Sequence, residues 1–298
     1  MQVVKPITVT DSVLIASSIP EDEYTQWSAG TSYVAGHRVI VIAVHKIYEA
    51  VAPSTGVSPI NNDGSQWVEV AATNRWRAFD RRLGLSAGYP ESITYVLSAP
   101  SMIDTIAFLG LEAGTLRVLV KDPSDVVVFD EITSLADTSD IADWQSFFFW
   151  EPNFAREYLS VSVAAYPGST ITLTIIATGG IARVGQVVPG RAVHLGTAMD
   201  GTTVGITDYS RKDRDDFGNV FVVKRAFADK ISFQFAFPVE DAGRIKRVIS
   251  GLRATPAVYA AGSADLGTTV YGFLAGDLEI PLVSAGYAFA TLEIEGLV

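Results

Sequence analysis

A chain of 298 residues with 48% apolar content is long enough for two or three domains with real cores, and too apolar for disorder. Its net charge of −11 and pI of about 4.7 argue against nucleic acid and anionic membrane as partners, because a uniformly acidic surface repels both. The absence of cysteine excludes a disulfide framework and a thiolate zinc site, and suits manufacture in a bacterial cytoplasm.

Residues 1–10 hold one Lys and one Pro with no long apolar run, so no secretory signal is read there. The apolar runs 39–44 and 171–177 are too short to insert in a membrane. Residues 1–20 alternate polar and apolar and predict one or two strands with a turn near Thr10-Asp11-Ser12. This N-terminal arm would pair with its own chain or with a neighbouring subunit.

Residues 21–72 predict a small β module. Trp27 and Tyr33 precede a strand over 40–44, a second strand over 46–50 carries Tyr48, and Trp67 closes the unit after a loop with Pro53, Gly56 and Pro59. The order resembles the small three-stranded carbohydrate-binding modules of the chitin- and cellulose-binding type, which recur in phage tail proteins. The resemblance implies glycan contact by stacking on exposed rings, with Tyr48 and Trp67 as the first candidates and Trp27 and Tyr33 beside them. The paired-tryptophan surface motif of the chitin binders is missing. A fifty-residue β unit without disulfides also needs large aromatics for its own core, so these four rings read first as core and only second as a ligand platform.

Residues 71–80 (Ala-Ala-Thr-Asn-Arg-Trp-Arg-Ala-Phe-Asp) follow without a flexible linker. Trp76 and Phe79 stand three apart, as on a short helical turn, and the segment predicts a clamp in which Trp packs and Arg pairs with Asp. It resembles a short signature of phage tail and prophage proteins found directly after such a module.

Residues 73–190 predict an antiparallel β-sandwich, from about seven short alternating strands with turn signals between them. Their order resembles a discoidin-like jelly roll. The loop 137–143 spaces Asp137, Asp140 and Asp143 three apart, an oxygen-rich pattern suited to Ca²⁺, but the central glycine and terminal Glu of an EF-hand are absent and the first reading is a solvated acidic loop; no other cofactor is expected. Phe147, Phe148, Phe149 and Trp150 follow as the most aromatic run in the chain. Read as a strand it is apolar on both faces, which predicts burial in the sandwich or at an interface. The glycines at 179, 180, 185 and 190 predict turns and a boundary.

Residues 191–298 predict an α+β domain with one helix on a sheet. Residues 208–216 mix charges and read as a solvated loop or strand edge. Phe217-Gly218-Asn219 signals a turn. Pro238 and the acids after it open a helix whose Val239, Ala242, Ile245, Val248, Ile249 and Leu252 share one face before Pro256 ends it. Strands return over 268–274, 278–282 and 287–294. This end resembles tail-associated proteins of phages and prophages. The expected fold class is therefore mainly β: a small three-stranded module, an antiparallel sandwich of jelly-roll type and a C-terminal α+β domain.

No catalytic constellation emerges. His37 and His45 are eight apart with no third ligand in reach, His194 stands alone, and there is no Gly-x-Ser-x-Gly elbow. With 33 acids, a glycosidase-type carboxylate pair stays open, but the long repeats of a depolymerase β-helix are missing. The expectation is a non-enzymatic virion structural protein of a phage tail, at the tip, baseplate or fibre attachment. Its partners would be other tail subunits, copies of itself and host-surface polysaccharide. A free or accessory carbohydrate-binding protein is the alternative, and a polysaccharide depolymerase the third reading.

Overall fold

The computed structural model describes residues 1–60, 62–138, 141, 143–149, 153–214, 217–262, 268–276, 279–280 and 286–297. The arm forms β1 (Gln2–Pro6) and β2 (Leu14–Ser17). The small module holds β3 (Ser32–Tyr33), β4 (Arg38–Val41), β5 (Lys46–Ala50), β6 (Ser54–Thr55) and β7 (Trp67–Ala72). The middle of the chain runs β8 (Ala87–Ser98), β9 (Ile103–Leu109), β10 (Thr115–Lys121), β11 (Val127–Ser134), β12 (Ala136–Asp137), α1 (Trp144–Phe148), β13 (Asn153–Phe154), β14 (Glu157–Ala165), β15 (Thr170–Val184) and β16 (Gln186–His194). The last part runs β17 (Thr197–Ala198), β18 (Thr203–Asp208), β19 (Arg211–Arg214), β20 (Val220–Val223), β21 (Phe227–Pro238), α2 (Ala242–Gly251), β22 (Ala257–Ala260), β23 (Val270–Leu274) and β24 (Tyr287–Gly296).

The fold is mainly β and antiparallel, with one helix of consequence near the C-terminus. Two large sheets dominate. A five-stranded sheet runs β11-β10-β15-β8-β2. A ten-stranded curled sheet runs β14-β9-β16-β1-β22-β23-β24-β21-β17, with β18 also paired to β21. The five-stranded sheet packs on the β14-β9-β16 part of the larger one around Ile93, Tyr95, Leu97, Phe108, Leu173 and Ile175. Strict alternation does this work: β10 buries Leu116, Val118 and Val120 and turns Thr115, Arg117, Leu119 and Lys121 outward.

At the other end α2 lies on β21 and β24. A 3-10 turn at Val239–Asp241 leads into it, and Ile245, Ile249 and Leu252 are buried against Phe233, Phe235, Phe237 and Leu292. The apolar face is the one its 3.6-residue period marks out. The strand expected over 278–282 lies largely outside the described residues.

The two regions share a strand. β1 pairs with β16 over Gln2↔His194 to Pro6↔Gly190 and with β22 over Gln2↔Ala260 to Val4↔Val258. Val3 faces the α2 core and Val4 faces a third cluster with Ala107, Leu109, Val188, Val258 and Tyr271; both valines are fully buried. The arm pairs with its own chain, as an interior strand.

Gly190 corrects the reading of the glycine-rich connector. It lies inside β16, and the position 190/191 falls in mid-strand. A Cβ on Gly190 would sit 2.3 Å from the Lys5 carbonyl oxygen of β1. The glycine is there because a neighbouring backbone comes too close for a side chain. Gly190→Ala should therefore destabilise the chain by roughly 1–3 kcal/mol through overpacking. Gly243→Ala, on the exposed first turn of α2 with nothing within 4 Å of the added carbon, should be neutral or stabilise by about 0.5 kcal/mol. Urea unfolding of both variants checks the contrast; equal effects would contradict it.

Candidate functional site

The four aromatics proposed for glycan stacking sit in the core of the small module. Tyr33, Tyr48 and Trp67 are buried with Val39, Val41 and Ala50, and Trp27 packs partly buried against them. Tyr33 meets Trp67 edge-on at 5.1 Å, and the Trp67 Nε1–H donates to the Val57 carbonyl at 3.1 Å. Stacking a sugar needs an open ring face, which Tyr33, Tyr48 and Trp67 lack. With so few residues, the module spends its largest side chains on its own cohesion.

The segment after the module is a clamp with different partners from those expected. Trp76 stacks on the His45 ring at 4.2 Å, meets Phe79 at 6.3 Å, and Phe79 meets the buried Tyr95 of β8 at 5.1 Å. His45, in the left-handed region at φ 54°, sets its Nδ1 2.9 Å from Glu21 and its Nε2 2.7 Å from Asp11. So the arm, the module and the sandwich meet on one imidazole. Arg77 pairs with Glu23 at 3.8 Å. Asp80 accepts from the Gln186 side-chain amide at 2.8 Å and from the Arg82 N–H at 2.8 Å. Gln186, itself buried, also donates to the Arg77 carbonyl at 2.8 Å and accepts from the Arg81 N–H at 3.0 Å. Asn74 exchanges two hydrogen bonds with the backbone of Gly88, at 2.7 and 2.9 Å. A shallow cleft of about 260 Å³ beside this joint is rimmed by His45, Lys46, Glu69, Asp80 and Arg82.

The acidic loop is described only in part. Asp137 pairs in β12 with Asn153, Asp143 precedes α1, and Asp140 lies outside the described residues. Among the described residues no cluster of three metal-ligating side chains forms.

The aromatic run corrects a second expectation. Residues 144–148 form the short helix α1, and its rings face solvent: Trp144 is 78% exposed, Phe147 54%, Phe148 75% and Phe149 79%. Trp144, Phe147 and Phe148 lean on one another with ring centres 5.9–6.4 Å apart. Trp150 lies outside the described residues. A short apolar run reads equally as strand or helix, and here the helix puts the rings outside.

One site was not legible in the sequence. The curl of the large sheet brings β14, at one end of the strand order, near β21 towards the other. Glu157 and Asp229 line a common cleft of about 390 Å³ with Asp137, Arg156, Val204 and Ile231. Burial, and then the nearby Asp229 charge, push the Glu157 carboxyl up to about 7; burial also pushes Asp229 above the usual carboxylate range. A carboxyl still protonated near neutrality beside a second acid can donate and take protons. Nothing in spacing could show this pair, because the two acids lie 72 positions apart and meet only through the curl.

No protein-family model matches this chain, and no curated protein matches it.

Trp67→Ala should cost roughly 3–5 kcal/mol of stability by opening a cavity in the module, measured by denaturant unfolding. A loss below about 1 kcal/mol would mean that the ring is not core. Glu157 sets a pH dependence. Its folded value of about 7 lies above 4.5 for the open chain, so the contribution of Glu157 to stability is fully present below pH 4.5 and is lost as pH rises to about 7. Glu157→Gln should raise stability at pH 8 by roughly 1–3 kcal/mol and leave it nearly unchanged at pH 4. An equal gain at both pH values would contradict the assignment.

Proposed function

We propose that this chain is a non-catalytic structural subunit of a larger particle, of the kind attached to the tail of a tailed phage or prophage. Its place would be the tip, baseplate or fibre attachment region. The observation that carries the assembly part is the solvent-facing aromatic group of Trp144, Phe147 and Phe148 on α1 with Phe149 just beyond it. Four large rings grouped on and beside one short helix favour cover by a partner, whereas scattered apolar side chains on a surface need none. The tail part rests on the resemblance of residues 71–80 and of the C-terminal region to tail-associated proteins.

A free carbohydrate-binding protein stands second, since burial removes the stacking faces of Tyr33, Tyr48 and Trp67. A depolymerase has one observation in its favour, the Glu157 and Asp229 cleft. Release of reducing ends from host polysaccharide, abolished by Glu157→Gln in a folded variant, would move the chain to that reading.

Antibody labelling of particles from the source organism tests the leading reading. Gold at the distal tail is the expected result. Abundant soluble protein with unlabelled particles would overturn it.

A further inference from the structure

The open ring face that the small module lacks is present at the other end of the chain. On the face of β21 and β24 turned away from α2, alternation puts Ser232, Gln234 and Ala236 beside Phe289, Thr291 and Glu293. Gln234 stands directly opposite Thr291, and Ala236 opposite Phe289. The Phe289 ring is 56% exposed. Gln234, Phe289, Thr291 and Glu293 floor a cleft of about 620 Å³.

Two walls close on this floor. β17 pairs with β21 up to Ala198↔Phe235 and β18 resumes at Thr203↔Ser232, so the four residues 199–202 stand against two, Phe233 and Gln234. The surplus rises over the Gln234 side chain as a bulge. The Met199 N–H donates to the Gln234 carbonyl at 2.8 Å, and the Gln234 N–H donates to the Thr202 hydroxyl at 3.3 Å. Gly201, at φ 105°, lies against the Gln234 amide: a Cβ there would come 2.5 Å from its Oε1 and 3.3 Å from its Nε2. The turn therefore sets the direction of the amide. Across the cleft the Ala275 N–H donates to the Glu293 carbonyl at 2.8 Å, Gly276 lies along the Glu293 side chain, and Glu279 completes that rim. Glu293 pairs with Lys230 at 3.6 Å. The Gln234 side-chain amide, the Thr291 hydroxyl and the Glu279 carboxylate are exposed and form no hydrogen bond or ion pair among the described residues.

The lining selects among ligands. Two carboxylates in one cleft repel phosphate, sulfate and acid sugars. β21 and β24 spend their facing backbone groups on each other from Lys230↔Glu295 to Pro238↔Tyr287, so the floor offers no strand edge to an extended peptide. What it offers is an open ring beside an amide, a hydroxyl and a carboxylate. A pyranose matches that set, because its C–H face is flat and apolar and each of its hydroxyls donates and accepts. We propose that this cleft binds a neutral saccharide, with one sugar ring laid on Phe289 and its hydroxyls bonded to Gln234, Thr291 and Glu279. Gly201 serves as a positioning residue that leaves room for the Gln234 amide. The inference adds a ligand to the reading of the chain as a particle subunit and does not depend on it, since the same cleft would serve a free glycan-binding protein.

Binding of the purified full chain to an array of neutral, uronic-acid and sulfated glycans, with unstructured peptides on the same array, tests this. The expected result is binding to neutral glycans, weakened roughly tenfold or more by Phe289→Ala and by Gln234→Ala. Phe289→Tyr, which keeps the ring face, should bind as the wild type does. Trp144→Ala, which removes an exposed ring elsewhere, should change nothing. Gln234 and Phe289 are both exposed, so the melting temperature of their variants should stay close to that of the wild type. Silence across the neutral glycans would overturn the proposal. So would binding confined to the acidic glycans, or neutral binding that both alanine variants leave intact. Binding of peptides alone, lost in Phe289→Ala, would also overturn it and give the cleft to a protein partner. The array reads the purified chain and the gold labelling reads particles, so either reading can fail without the other.

Discussion

Both large regions of this protein depend on five residues at its start. β1 is hydrogen-bonded on both edges and buried on both faces, between β16 of the sandwich and β22 of the helical region. Without it the ten-stranded sheet separates into β14-β9-β16 and the strands from β22 onward. The close approach of its Lys5 carbonyl also dictates a glycine at 190. Because the sheet is continuous through β1, its curl is continuous too, and the curl brings Glu157 and Asp229 to one cleft.

A second constraint is the joint around residues 71–80. A ladder of rings from His45 through Trp76 and Phe79 to Tyr95 ties the module to the sandwich. Gln186 holds the backbone of 77–82 from the far side. These groups are buried polar and aromatic contacts with specific partners, which fix one arrangement of the module where a linker would allow many. What the fold leaves uncovered is correspondingly informative. α1 and the β19–β20 ribbon keep large apolar side chains in solvent although the core nearby is well filled.

Much of the architecture was legible in the sequence. The alternation over 115–121 and the one-sided apolar face of 239–252 follow from strand and helix periods, and both lie where their periods put them. The 71–80 clamp was legible as packing, from Trp76 and Phe79 three apart. Its partners were not: Arg77 finds Glu23, and Asp80 finds Gln186, 106 positions away. The place of β1 was hidden for the same reason, since its partners stand near 190 and 260 and alternation says nothing about which strand lies alongside. Gly190 looked like a turn because a strand glycine and a turn glycine have the same letter. The α1 run defeated the period rule, being too short and too uniformly apolar to separate strand from helix. For the candidate surfaces, the core reading of the module's aromatics is the one the packing follows, with Tyr33, Tyr48 and Trp67 making the core. Of the predicted functional groups, the described aromatics at 147–149 remain available to a partner.

The role of β1 is open to native-state hydrogen exchange resolved to single amides. If β1 is the shared interior strand, the paired amides of Val3 and Val4 exchange only through global unfolding, with the same protection as their neighbours in β16 and β22. Faster exchange across β1 while both flanking strands stay protected would contradict it, and would mean that the sandwich and the helical region hold together without that strand.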